Sequence, residues 1–284
     1  KEEGVTTVGS QVVDMTANVY RLANAVVNNS QPIALAARVG DPAPSAAISI
    51  TNSSPDIFTE GLKVTLGATS AGFGASGSIT NLAATGTSTA ILVSLNTSAA
   101  GTFAGSQALD IVSTGAGTTG AADFGLGTQT VSLAGKVYTK AVAQVTSGPV
   151  DFGIVHVGDS VATQGITVKN DAAVTLLNDT MQATMGSVDG PFTGSGSVSG
   201  IGPQASNSAA LQVGLDTGAA GTFSGTANIG FLSHNPDMSD LELEDLAVAL
   251  MAGISRELRT ARAASHREEI CSPSPEAARS ARCP

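Results

Sequence analysis

The stretch that decides the fold is Thr128–Tyr138, with the sequence TQTVSLAGKVY. Apolar and polar residues alternate along it, which is the period of a β-strand with one buried face. Residues 13–20 (VDMTANVY) resemble its last eight residues (VSLAGKVY), and a weaker echo lies at 246–250 (LAVAL). Three closing strands with two complete units between them indicate a repeat. The first closing strand has no unit of its own to close in this sequence.

The repeat is clearest between residues 91–103 (ILVSLNTSAAGTF) and 211–223 (LQVGLDTGAAGTF), where the AAGTF segment is identical. Each unit holds seven short apolar runs separated by turn residues, a pattern typical of an antiparallel β-sandwich. Two of those runs, Ser76–Ile79 and Gly194–Val198, are predicted as strands at matching places in the two units. We therefore predict an all-β protein with two tandem immunoglobulin-like antiparallel β-sandwiches and an N-terminal orphan strand.

This pattern divides the chain into four segments. They are an N-terminal extension with a donor-type strand (1–29), a first immunoglobulin-like domain (30–145), a second one (146–255) and a tail rich in Arg and Ala (256–284). The tail lacks the strand pattern, so we expect it to lie outside any core.

Composition excludes several classes of function. The chain has a net charge of −10, and residues 256–284 carry six of the eight Arg and four acidic residues, so the remaining residues are more acidic still. A body this acidic has no electrostatic footprint for nucleic acid or for an anionic membrane. No apolar run approaches the ~20 residues needed to span a bilayer. The only cysteines, Cys271 and Cys283, lie in the tail, so the β-body has no disulfide.

No motif points to catalysis or to a cofactor. Residues 115–120 (GAGTTG) match the spacing of a dinucleotide-binding loop, but two more glycines and a strand follow instead of a helix, which favours a plain loop. His156, His234 and His266 are not spaced with other metal ligands and are interpreted as surface or loop residues. We predict no enzymatic activity, no catalytic residue and no cofactor.

An acidic run before the last strand is the only candidate for a metal. It comprises Asp237, Asp240, Glu242, Glu244 and Asp245. The spacing of an EF-hand is absent, so a solvated acidic loop is the main interpretation and a weak Ca²⁺ site the minor one.

The second unit resembles a known family in its opening residues. Residues 150–160 read VDFGIVHVGDS and residues 168–170 read VKN. An Asp-Phe-Gly, a Val-Gly shortly after it and a strand that ends in Asn resemble the choice-of-anchor D repeats of bacterial surface proteins, which are similar to the immunoglobulin-like domains of the ASPM, SPD-2 and hydin type. The resemblance implies an extracellular, cell-surface protein of stacked domains. The first unit departs from it, because Leu35-Ala36-Ala37 replaces the Phe-Gly opening.

The orphan strand has the most specific functional interpretation. Val13, Met15, Ala17 and Val19 share one face, and an apolar strand without a sheet is a template for pairing with another chain. It could pair with a neighbouring subunit, pair within its own chain, or be the remnant of an upstream unit. In the first case the acceptor edge would be the degraded closing strand of the second unit, at Leu246, Val248 and Leu250.

These patterns predict a non-enzymatic structural protein of the cell surface, which polymerises into a fibre or array by strand donation between identical subunits. The alternative is a monomeric adhesion or ligand-binding module with a glycan or protein ligand. The absence of Trp and the presence of only two Tyr disfavour sugar stacking.

Overall fold

Residues 8–256, together with Glu3 and Gly4, are the part of the chain that this computed structural model describes. They form nineteen β-strands and no helix. It follows that these residues contain no helix able to cross a membrane. The strands assemble into four sheets, and the sheets pack in pairs. The all-β prediction is confirmed for this part of the chain, and the predicted tail lies outside it except for Arg256.

The first sandwich has nine strands, along which buried and exposed residues alternate because successive side chains point to opposite faces of a sheet. They are β1 (Ala25–Val27), β2 (Ile33–Arg38), β3 (Ser45–Asn52), β4 (Gly61–Thr69), β5 (Phe73–Ser76), β6 (Ile79–Leu82), β7 (Thr87–Leu95), β8 (Gly101–Thr114) and β9 (Phe124–Tyr138). One sheet has the order β1-β3-β7-β5 and the other β2-β9-β8-β4-β6. β2 runs parallel to β9.

The second sandwich repeats this plan with one additional short strand. Its strands are β10 (Ala143–Val145), β11 (Val150–His156), β12 (Gln164–Asn170), β13 (Thr180–Val188), β14 (Phe192–Ser195), β15 (Ser197–Ile201), β16 (Ser206–Leu215), β17 (Gly221–His234), β18 (Leu241–Glu242) and β19 (Leu246–Ser255). The sheets are β10-β12-β16-β14 and β11-β19-β17-β13-β15, with β18 on β17. β11 runs parallel to β19, as β2 does to β9. Both units are immunoglobulin-like β-sandwiches.

Each core lies between the two sheets of its sandwich and is mainly aliphatic. The first core joins β3 and β7 to β4, β8 and β9 through Ile48, Ile50, Ile91, Val93, Leu62, Val64, Leu109, Val131 and Leu133. The second joins β12 and β16 to β13, β17 and β19 through Ile166, Val168, Leu211, Val213, Met181, Ile229, Phe231, Val248 and Leu250. Burying one such side chain contributes about 1.5–3 kcal/mol.

The boundaries of the sandwiches differ from the predicted ones. β1 pairs with β3 and therefore belongs to the first sandwich, although it precedes residue 30. β10 pairs with β12 and belongs to the second sandwich, although it ends at residue 145. Each sandwich thus begins with a short edge strand whose three residues are too few to show a period.

Two predicted strands are wrong in the same way. Gly77 interrupts the predicted strand Ser76–Ile79, and Gly196 interrupts Gly194–Val198. Both glycines have positive φ, 91° and 108°, a conformation that residues with a Cβ rarely adopt. In each unit the chain changes sheets at this glycine, from β5 to β6 and from β14 to β15.

Candidate functional site

The predicted donor residues lie in an exposed segment without a partner strand. Residues 11–20 form no strand, and the side chains of Val13, Met15 and Val19 belong to residues that are 75 %, 90 % and 86 % exposed. Ala17 is exposed as well. Among the described residues, this segment therefore does not pair with a strand of its own chain. Its apolar face remains in contact with solvent.

The residues that follow the donor segment are part of the first sandwich. Arg21 forms a parallel bridge with Thr59, and its carbonyl accepts a hydrogen bond from the amide of Glu60 at 3.0 Å. The amide of Ala23 donates to Ser113 Oγ at 3.0 Å. Ala23 and Ala25 are buried. The segment able to leave without opening the sandwich therefore ends at about Tyr20.

The predicted acceptor residues lie in a strand that is already part of a complete core. β19 pairs with β17 from Leu246 to Ile254 and with β11 from Leu250 onward. Val248 and Leu250 are buried. The expectation of an open acceptor edge is corrected accordingly, because only residues 246–249 have a free side, and the core behind them is filled by the chain itself.

The two sandwiches meet at a buried ion pair that no motif in the sequence indicates. Arg38, the last residue of β2, donates from Nε to Asp179 Oδ2 at 2.5 Å, and the two side chains are 6 % and 0 % exposed. Its Nη2 donates to the carbonyls of Ser233 and Ser239 at 3.1 and 3.0 Å. Asp179 also accepts from Ser233 Oγ at 2.7 Å and from Asn235 Nδ2 at 2.8 Å.

This arrangement joins the two sandwiches and leaves few free hydrogen-bonding groups on Arg38 and Asp179 for binding or catalysis. Both carboxylate oxygens of Asp179 and two nitrogens of Arg38 have protein partners. One sequence signal pointed here: only two of the eight Arg precede residue 256, and Arg38 ends an apolar strand. The partner lies 141 positions away, which a single sequence does not reveal.

A second, exposed contact crosses the junction beside the first. Lys136 Nζ donates to Asp237 Oδ2 at 2.8 Å, and the Tyr138 hydroxyl donates to the same oxygen. The hydrogen bond from Lys136, followed by that from Tyr138, lowers the pKa of Asp237. The bond to Asp237 raises the pKa of Lys136. Burial, and then the bond to Asp237, raises the pKa of Tyr138.

The residues considered for metal binding are dispersed. Asp240 is held by His234, with Nδ1 and Oδ1 2.6 Å apart, and Asp237 is used at the junction. Among residues 8–256 no three His, Cys, Asp or Glu side chains cluster as metal ligands would. His156 lies at the end of β11 and is half exposed. His266 is outside the described residues.

Residues 115–120 form a turn between β8 and β9, with the amides of Thr118 and Gly120 donating to the carbonyl of Gly115. A strand follows this turn, as in the loop interpretation. The helix N-terminus that a dinucleotide pyrophosphate would require is not there.

Comparison with known proteins gives no family. No family model matches the chain, and no curated protein matches it significantly. Among solved structures, the chain is similar to a protein of unknown function from Porphyromonas gingivalis W83, with 14 % identity over 81 % of this chain and 99 % of that chain and a TM-score of 0.29. It is also similar to the human desmocollin-1 ectodomain (10 % identity, 82 % of this chain, 42 % of that chain, TM-score 0.36) and to the protocadherin gamma B2 extracellular cadherin domains 3–6 (10 %, 82 %, 53 %, 0.35).

The chain thus spans about half or less of the desmocollin and protocadherin chains. At these identities and TM-scores the similarities carry no conclusion about family or function. The resemblance to choice-of-anchor D repeats remains a prediction, and the β-sandwich fold rests on the structure itself.

Proposed function

We propose that this protein is a structural module of the cell surface that associates with copies of itself by donating residues 8–20 to a sandwich of a neighbouring copy. One observation carries the proposal. The segment has the apolar alternation of a closing strand, but its apolar face is exposed and no sheet accompanies it. Burying Val13, Met15 and Val19 would contribute about 1.5–3 kcal/mol each, which offsets the burial that the apolar residues of a displaced strand lose.

The internal repeat supports one place for the donated strand. Residues 13–20 match residues 131–138 of β9. β9 and β19 are equivalent, because Val131 pairs with Gln107 of β8 and Val248 pairs with Ala227 of β17, at matching positions of the two units. The apolar face of the donor would therefore occupy the places of the buried apolar residues of β19, which are Val248, Leu250, Ala252 and Ile254.

Since β19 fills that place within each chain, association requires a strand exchange. The incoming Met15 replaces Leu250 and the incoming Val19 replaces Ile254, changes in volume that a core tolerates at modest cost. The second sandwich is the better acceptor, because β19 has 10 residues and β9 has 15, so fewer ladder hydrogen bonds must open. The contact is heterologous and can be repeated from copy to copy, which generates a fibre.

Sedimentation equilibrium of the full chain over a range of concentrations tests this function. We expect self-association that Met15→Asp abolishes, because a carboxylate would be buried at the position of Leu250. Thr16→Asp is the matched control, since it adds the same charge on the opposite face of the strand and should leave association intact.

A variant without residues 1–19 should be monomeric and fold normally, because Arg21 is the first residue bridged to the sandwich. If the full chain and all variants are monomeric at every concentration, strand donation is wrong, and the alternative of a monomeric adhesion or ligand-binding module replaces it.

A further inference from the structure

We infer that Glu60 is a receptor for a cationic side chain of a second copy of this chain, and that His156 of that copy supplies the charge. The inference rests on the proposed self-association and specifies the contact that forms next to the donated strand. Glu60 is buried, 6 % exposed, and does not form an ion pair with any described Lys, Arg or His.

The carboxylate of Glu60 is held by hydroxyl groups alone. Ser113 Oγ donates to Oε2 at 2.7 Å and Thr119 Oγ1 donates to Oε1 at 2.8 Å. Both donors are neutral, and a buried carboxylate without a counter-charge is costly. Nothing in the first sandwich supplies that charge, because the nearby Arg21 pairs with Asp56 at 2.7 Å.

The second sandwich shows what occupies the same position. Asp179 is the equivalent of Glu60, because Ser233 Oγ donates to it as Ser113 donates to Glu60. The amide of Ala141 donates to Ser233 Oγ as that of Ala23 donates to Ser113 Oγ. At Asp179 the counter-charge comes from Arg38 of the preceding sandwich.

The chain segments that enter the two sandwiches are also equivalent. The amide of Asp179 donates to the carbonyl of Thr139, as that of Glu60 donates to the carbonyl of Arg21. Thr139 bridges to Asn178 as Arg21 bridges to Thr59. The surface of the first sandwich around Glu60 is therefore built like the surface of the second sandwich that receives Arg38.

The far end of the second sandwich presents His156 where the first presents Arg38. His156 pairs with Ser255 as Arg38 pairs with Tyr138. In both turns the next amide donates to the last residue of the closing strand, from Val157 to Ser255 and from Val39 to Tyr138. Asp159 and Asp41 occupy the same position after the turn, and each accepts from the amide of the basic residue.

Strand exchange would bring the end that carries His156 against the end that carries Glu60, in the same arrangement that joins the two sandwiches within one chain. When residues 13–20 of one copy replace the end of β19 in another, the chain continues into Arg21 as Tyr138 continues into Thr139. His156 of the acceptor copy then faces Glu60 of the donor copy. The exposed contact is not reproduced, because Asn18 of the donated strand and Gly117 stand at the positions of Lys136 and Asp237. The buried acid is then the main polar contact of the junction between copies.

The test measures the self-association constant of the full chain and of variants by sedimentation equilibrium at about pH 5.5, below the ordinary pKa of a histidine side chain. We expect Glu60→Gln to weaken association about tenfold, because it removes one partner of a desolvated charge pair. Asp56→Asn, which removes a negative charge from the exposed part of the same end, should change it little. His156→Arg should strengthen association several-fold by reproducing the Arg38 contact, and the gain should disappear in the Glu60→Gln background.

The outcomes separate this inference from the proposed function. If removal of residues 1–19 abolishes association but Glu60→Gln and His156→Arg leave it unchanged, strand donation stands and the receptor role of Glu60 is overturned. If the wild-type chain does not associate, both fail. Thermal unfolding of each variant at a low concentration verifies the fold, and His156→Arg, at an exposed position, provides a readout that does not depend on altering the core.

Discussion

Arg38 carries a permanent positive charge into a site where Asp179 has no access to water. Removing either partner of such a pair alone destabilises the protein, because the remaining charge then stays buried with neither water nor a counter-charge around it. At the scale of residues, this pair is what makes two separate sandwiches into one unit. It also explains why the carboxylate of Asp179 has two further donors arranged around it, Ser233 Oγ and Asn235 Nδ2.

We expect Arg38→Met to lower the free energy of unfolding by about 3–5 kcal/mol, because the carboxylate of Asp179 would stay buried without its counter-charge. Urea unfolding followed by circular dichroism measures the change. The double variant Arg38→Met with Asp179→Leu should recover most of it. Arg21→Met, which disrupts an exposed pair, is the control and should have little effect. Equal effects of Arg38→Met and Arg21→Met would contradict the role of the buried pair.

The Lys136–Asp237 contact predicts a dependence of stability on pH at both extremes. The pKa of Asp237 is lowered, so its contribution is complete above the unfolded value of about 4 and is lost as pH falls through the lowered pKa. The pKa values of Lys136 and Tyr138 are raised, so their contribution is present below about pH 10 and is lost as pH rises through the raised values.

Asp237→Asn should therefore reduce stability between pH 5 and pH 9 and make the fall at both extremes shallower than in the wild type. Unfolding midpoints measured from pH 2 to pH 11 test this expectation. Curves that run parallel at all pH values would show that the contact does not titrate.

At the scale of elements, the long strands could be predicted from the sequence and the short ones could not. β9 can be predicted because apolar and polar residues alternate over most of its 15 residues. β1 and β10 have three residues each, too few for a period. The sequence-based prediction joins the two strands around Gly77 into one, and likewise those around Gly196. A single sequence does not indicate that a glycine adopts positive φ or that the chain changes sheets there.

The candidate site was predicted in the same partial way. The alternation from Val13 to Val19, on which the proposed donor segment rests, is a local pattern that the sequence alone reveals. The Arg38–Asp179 pair and the buried Glu60 depend on residues far apart in the sequence, so they became visible only when the repeat was placed in three dimensions. The expectation of an open acceptor edge is wrong. Residues 246–250 resemble β9 only weakly, but Val248 and Leu250 are buried and complete the core of the second sandwich.

The glycines at which the chain changes sheets give an element-scale prediction. A Cβ on Gly196 would lie 1.9 Å from the carbonyl oxygen of Ala210, and one on Gly77 would lie 2.0 Å from that of Ala90. Because these are backbone atoms and φ is positive, Gly196→Ala should destabilise the second sandwich by at least about 2 kcal/mol. Gly148→Ala, at an open position, should change stability by less than about 0.5 kcal/mol. Urea midpoints of the two variants decide the point, and similar midpoints would contradict it.

At the scale of the whole molecule, the two sandwiches form a repeat whose ends are complementary. One end of the chain carries an exposed strand pattern and an uncompensated buried acid, and the other carries a closing strand and a basic residue at matching positions. A head-to-tail contact between copies would reproduce the junction within the chain. This complementarity is the physical basis for the proposed self-association, which requires β19 of the acceptor copy to leave its place.

The most direct test is a disulfide trap between copies. Thr16 of a donated strand would take the place of Met251, whose partner on β17 is Ser224; directly opposite residues on paired strands are close enough for a disulfide. One chain carries Thr16→Cys and another Ser224→Cys, both with Cys271 and Cys283 replaced by Ser. The account predicts disulfide-linked dimers of the two chains after mixing and oxidation, and none when Ala104→Cys, the equivalent position of the first sandwich, replaces Ser224→Cys. Absence of the Thr16–Ser224 link, or equal linkage at both positions, would contradict strand donation to the second sandwich.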